Sequence, residues 1–227
     1  MARHSFEARA HRFFSLCTAT FALLALVVAL ALAPARSGPG CTSDCITSPY
    51  TDAVDYVPRD FWWMIFAFLL ALAVPLMLLT AGEHIREERR VALKASIALG
   101  TIAGTILTIA YGTQFLVVAT SLTKGELDNL SLWSQYNPHG MFIALESIGL
   151  FITALALVGY GLALDNEDRW TRIVSILCLY GGSLAVLLFP VLLAVYWQDL
   201  EYRYEVWTIA LIWPLLTIVG IMNARSR

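Results

Sequence analysis

Apolar residues run through this chain in long blocks, and polar residues crowd into the breaks between them. A membrane-spanning helix needs about 20 mostly apolar residues. Six blocks come close to that length, at roughly 13–34, 61–80, 91–120, 141–163, 172–197 and 206–222. The pattern predicts an all-α polytopic transmembrane bundle of six helices, with residues 1–227 forming one integral-membrane domain. The third block exceeds what a bilayer requires, so it tilts or projects at one end. Breaks are short except at about 35–60 and 121–140, which leaves no separate soluble domain.

Within these blocks the small and polar positions recur at helical spacing. Ser96, Gly100, Gly104, Thr108 and Gly112 fall at every fourth residue of the third helix, a stripe that lets another backbone approach closely. Tyr111 and Gln114 are three apart and share a face. In the fourth helix His139 and Glu146 are seven apart, two turns distant on one face. Gly149, Thr153, Ala156 and Tyr160 continue that face, which is therefore expected to meet protein rather than lipid. "QYNPHG" reads as a helix start with Asn137 as cap and Pro138 in the first turn, and "VPRDFWW" as another with Asp60 as cap. Arg59 and Asp60 also suit an interfacial ion pair.

Composition agrees with the pattern. The 227 residues are 59% hydrophobic and 14% charged, where soluble domains carry about 25% charged residues. A net charge of −2, with 15 basic residues scattered through short flanks, excludes a phosphate-neutralising patch and hence a nucleic-acid partner. The bilayer is the partner that composition implies.

Basic residues are retained on the cytoplasmic side of a membrane. With both termini inside, Arg3, Arg9, Arg12, Arg86, Arg89, Arg90, Lys94, Arg169, Arg172, Arg225 and Arg227 flank the inner ends, and Arg36, Arg59, Lys124 and Arg203 the outer ends. This asymmetry predicts cytoplasmic termini and a cytoplasmic-membrane location. Trp62, Trp63, Trp133, Tyr136, Trp197, Tyr202, Tyr204 and Trp207 form the expected outer aromatic belt, and Trp170 the inner one. The basic start and the "ALAPAR" end of the first block also fit a signal peptide cut after Ala35. Its apolar run is longer than a signal usually carries, which favours a retained helix.

Cys17 and Cys178 fall inside helices, where a thiol packs as a small apolar group. Cys41 and Cys45 lie in "GPGCTSDCITSPY" on the outer side, where an oxidising compartment favours a disulfide. A redox thiol pair is the alternative reading of that spacing. His4, His11 and His84 sit in inner flanks and His139 at an outer helix end, so no histidine pair faces across the core to hold a haem. No lysine is deep in a helix, and no Gly-rich phosphate loop, zinc-binding helix or nucleophile elbow is present. The residues point to no metal and no cofactor.

A carboxylate in a spanning helix costs at least about 2.5 kcal/mol on insertion scales, so it has a partner or a task. Glu146 lies about 9 Å below the outer boundary, counting 1.5 Å per residue from Gly140. One reading ties it to Tyr111 or Gln114 as a helix-to-helix contact. The other makes Glu146, His139, Gln114 and Tyr111 the lining of an outward-facing pocket. Such a pocket suits binding or transport of a small polar solute or protons. A membrane-embedded enzyme using Glu146 and His139 on a lipid-like substrate, and a non-catalytic assembly or sensor subunit, are the alternatives. Pro75 and Pro190 occupy loosely matching places in two three-helix halves, a weak hint of an inverted repeat.

"YVPRDFWWM" and "QYNPHGMFIALESIG" resemble segments of a group of prokaryotic multi-pass membrane proteins with no known activity. That resemblance implies a membrane location and adds no functional residue.

Overall fold

The computed structural model describes residues 2–81, 85, 87–164 and 168–225, with backbone alone for 2–5. His84, Arg86 and Arg227, and the side chains of Arg3 and His4, lie outside the described residues. Six long helices carry the fold. They are α1 (Ala2–Leu32), α2 (Trp62–Thr80), α3 (Arg90–Lys124), α4 (Met141–Ala163), α5 (Arg169–Tyr196) and α6 (Arg203–Arg225). All six are long and apolar enough to cross a membrane, so this is a multi-pass integral membrane protein. No strand is present among the described residues beyond one bridged pair, Ile85 with Leu164.

Consecutive helices pack side by side, and α6 returns to pack on α1, which closes a ring in chain order. Lipid tails are as apolar as leucine, so close packing of small residues rather than hydrophobic burial holds such a ring together. Gly104 shows how close the approach is, because a Cβ there would sit 2.6 Å from the Ala71 carbonyl oxygen of α2. Gly220 of α6 meets α1 in the same way, 2.5 Å from the Ser15 carbonyl oxygen. Hydroxyls add interhelical bonds: Ser96 Oγ donates to the Ala156 carbonyl at 2.6 Å, and Ser175 Oγ to that of Gly161 at 2.7 Å. The stripe along α3 is thus a packing face, as its spacing implies.

Two helix starts differ from the sequence expectation. Asp60 does not cap α2; it sits in a short 3-10 turn, Arg59–Phe61, and its carboxylate is taken up by side chains. Likewise α4 begins at Met141 with Gly140 as its cap residue, and Asn137 Oδ1 instead accepts from the His139 backbone N–H at 3.0 Å. In both places the polar side chain is consumed before the helix starts, and the free N–H groups go without a side-chain cap.

The connections 33–61, 125–140 and 197–202 meet at one end of the bundle. The Ser37 and Tyr202 hydroxyls are 2.7 Å apart, and Tyr202 Oη donates to the Gln135 carbonyl at 3.0 Å. Cys41 and Cys45 form a disulfide there, while Cys17 and Cys178 are free. Only part of the expected aromatic belt stays at the surface. Trp62, Trp197 and Trp207 are exposed, whereas Trp63, Tyr136 and Tyr204 turn into the protein.

Candidate functional site

Glu146 is fully buried in α4, and the stripe Gly149, Thr153, Ala156 and Tyr160 beneath it is buried too. Tyr111 of α3 donates its hydroxyl to Glu146 Oε1 at 2.6 Å. Two rings pack edge-on against the phenol, Trp63 at 5.7 Å and Phe142 at 6.1 Å between centroids. Such a frame fixes the donor before the carboxyl needs it.

A second carboxyl completes the group. Glu205, in the first turn of α6, lies against Glu146 and is 8% exposed. The two carboxyls are hydrogen-bonded to each other, which requires a shared proton, and apart from that pairing Oε2 of each glutamate has no hydrogen-bond partner among the described residues. Among the described residues, neither glutamate forms an ion pair with Arg, Lys or His. Two buried acids therefore lean on each other and on a single phenol.

The pattern around Glu205 hides it, because "YRYEVW" reads as an interfacial belt. A signal exists nonetheless: Glu205, Thr208, Ile212, Leu216 and Val219 follow helical spacing and are all buried. The acid stands on the core stripe of its helix.

The other two expected lining residues go elsewhere. Gln114 opens a π-helical turn, Gln114–Val118, inside α3. Its amide donates to the Trp133 carbonyl at 2.6 Å and accepts from the Gln135 N–H at 3.1 Å, which pins the 125–140 connection to the bundle. His139 precedes the start of α4, so helical spacing does not carry it to the Glu146 face. It is exposed, and the pair does not form a joint site.

A cavity of about 640 Å³ opens beside the acid pair, between the disulfide-end halves of α1 and α6. Leu26, Ala29 and Leu30 of α1 face Val206, Ile209 and Ala210 of α6 across it. Trp63, Phe142, Trp207 and Trp213 add aromatic wall, and Glu205 reaches the same wall. None of Glu146, His139, Gln114 and Tyr111 lines this cavity. Tyr111 instead borders a small interior void of about 20 Å³ with Thr153 and Trp213, room for about one water.

At the connection end the cavity is walled by an ion-pair cluster. Asp60 accepts from Arg36, from Arg59 Nε at 3.0 Å and from the Tyr136 hydroxyl at 3.3 Å. The Arg36 guanidinium also stacks on Tyr56, 3.6 Å from the ring centre. Burial works against the Arg36 charge, and Asp60 more than offsets it, so the guanidinium is held more firmly charged than usual. Burial first and the Asp60 charge second push the Tyr136 phenol above its ordinary value.

Compared with protein-family models, with curated protein sequences and with solved structures, the chain finds no match.

Proposed function

We propose that this protein binds, and moves across the membrane, a small solute held in the α1/α6 cavity, with Glu205 and Glu146 as the polar groups that couple binding to charge or proton transfer. One observation carries the reading: a cavity of about 640 Å³ whose wall includes a buried acid, backed by a second buried acid. Two bare carboxylates side by side in a low-dielectric interior repel, and a proton or a bound cation between or beside them removes the repulsion. An ionisable pair inside a membrane protein marks a solute or proton path by default. The disulfide end is assigned to the outer side from the basic-residue asymmetry, so the cavity faces outward.

The enzyme alternative has less support, since His139 is exposed and apart from the acids. An assembly role leaves the cavity without a purpose.

Proteoliposomes holding the full chain and an internal pH indicator test the reading when challenged with a panel of amines, amino acids, sugars and carboxylates. Solute-dependent uptake or proton movement is expected, with the signal lost in a folded Glu205→Gln variant. Silence across the panel from folded wild-type protein overturns it.

A further inference from the structure

The chemistry of the cavity wall narrows the class of solute. We propose that the cavity takes a hydrophobic organic cation, its charge against Glu205 and the aromatic wall, and its apolar body between α1 and α6. This rests on the binding reading above and goes beyond it in the charge, shape and route of the ligand.

Charge comes first. Two arginines reach the wall, and both are already committed. Arg36 is bonded to Asp60 and stacked on Tyr56. Arg203 lies 3.6 Å from the Glu201 carboxylate and 4.4 Å from the Tyr196 ring centre. Glu205 has no such counter-charge among the described residues and is hydrogen-bonded to Glu146, so the two acids share a proton. A cation set against Glu205 takes the place of that proton, which leaves to water, whereas both wall arginines are already paired and offer an anion no such place.

The aromatic residues reinforce that preference. Trp63, Phe142, Trp207 and Trp213 border the same space as Glu205. The π faces of such rings attract positive charge, more strongly once the cation is desolvated. An onium or ammonium group needs few hydrogen bonds, so a mostly hydrocarbon wall satisfies it. A sugar or an amino acid would leave many polar groups unpaired there.

Shape gives the route. The helices α1 and α6 touch at Gly220 and Ser15, far from the connections, and stand apart where Leu26, Leu30, Val206 and Ala210 line the gap. Leu30 is 80% exposed and Trp207 61%, so the rim lies on the surface that lipid covers. A ligand that partitions into the bilayer reaches the acid sideways, through the space between the two helices.

Purified full-length protein in neutral maltoside micelles is titrated with three probes of similar size: tetraphenylphosphonium, tetraphenylborate and neutral triphenylphosphine oxide. Heat of binding and quenching of tryptophan fluorescence are the readouts. Saturable binding of the phosphonium alone is expected, weakened about tenfold or more by Glu205→Gln, because the amide cannot carry the charge that faces the cation. Trp207→Ala, at an exposed rim position, is expected to weaken it without disturbing the fold. The charge preference is read on wild-type protein and so does not depend on any variant folding. Equal binding of the borate or the neutral probe overturns the cation assignment and leaves the cavity reading standing. Unchanged phosphonium affinity in folded Glu205→Gln overturns the site. Binding of none of the three overturns both readings.

Discussion

Tyr111 and Glu146 are joined by a 2.6 Å hydrogen bond between α3 and α4, and the phenol is the donor. Hydrogen bonds between membrane helices contribute about 0.6 kcal/mol on average and about 1.7 at most. Tyr111→Phe is therefore expected to destabilise the bundle by about 1 kcal/mol, as read by unfolding in mixed dodecyl maltoside and SDS micelles. Glu146→Gln keeps an oxygen for the phenol and should cost less. Equal stability of Tyr111→Phe and wild type would show that the bond contributes nothing net.

Two glycines on the α3 stripe separate backbone contact from ordinary side-chain contact. A Cβ at Gly104 would meet the Ala71 carbonyl oxygen at 2.6 Å, whereas at Gly112 the nearest atom is Phe68 Cε2 at 3.5 Å. Gly104→Ala must push α2 and α3 apart, at a cost of about 1–3 kcal/mol. Gly112→Ala should be neutral or slightly stabilising, because alanine is the better helix former by about 1 kcal/mol. The same unfolding assay ranks them, and a reversed order would refute the close α2–α3 approach.

The ion-pair cluster at Asp60 contains a buried bond and an exposed one. The Asp60 side chain is 2% exposed and Arg36 11%, but Arg59 is 52% exposed. Asp60→Asn strands the buried Arg36 charge and is expected to cost about 3 kcal/mol. Arg59→Ala removes a solvated partner worth less than about 1 kcal/mol. Thermal aggregation midpoints of the two variants should differ clearly, and matching midpoints would remove Arg36–Asp60 as the clamp on the α1–α2 connection.

Alkaline pH gives an independent reading of the same cluster. An unfolded tyrosine loses its proton near pH 10, while burial and the Asp60 carboxylate hold the Tyr136 phenol above that value. The unfolded chain therefore releases the proton first, and stability falls as pH rises through about 10 toward the higher folded value. Burial acts on Tyr202 in the same direction. Tyr136→Phe is expected to flatten the decline between pH 10 and 11 in detergent-solution melting curves. A slope identical to wild type would mean that Tyr136 titrates normally.

The amino-acid sequence by itself determined the six spanning helices, the packing face of α3 and the inward stripe of α4, and it named the Cys41–Cys45 disulfide as one of two readings of that spacing. All of these are local or periodic properties: the length of an apolar run, a spacing of three or four residues, or two cysteines close in the chain. It also determined that Glu146 needed a partner, and it named Tyr111 as one of two candidates.

Tertiary structure alone decided which groups meet. Periodicity tells which face of a helix is buried but not which helix covers it, so Glu205, 59 residues beyond Glu146, was invisible as its neighbour. His139 dropped out because α4 starts two residues after it, and Gln114 turned to a loop because α3 widens into a π turn there. The cavity depends on the angle between α1 and α6, which touch at Gly220 and part above it. No run of residues encodes that angle, because it is set by where the two helices find their small contact residues.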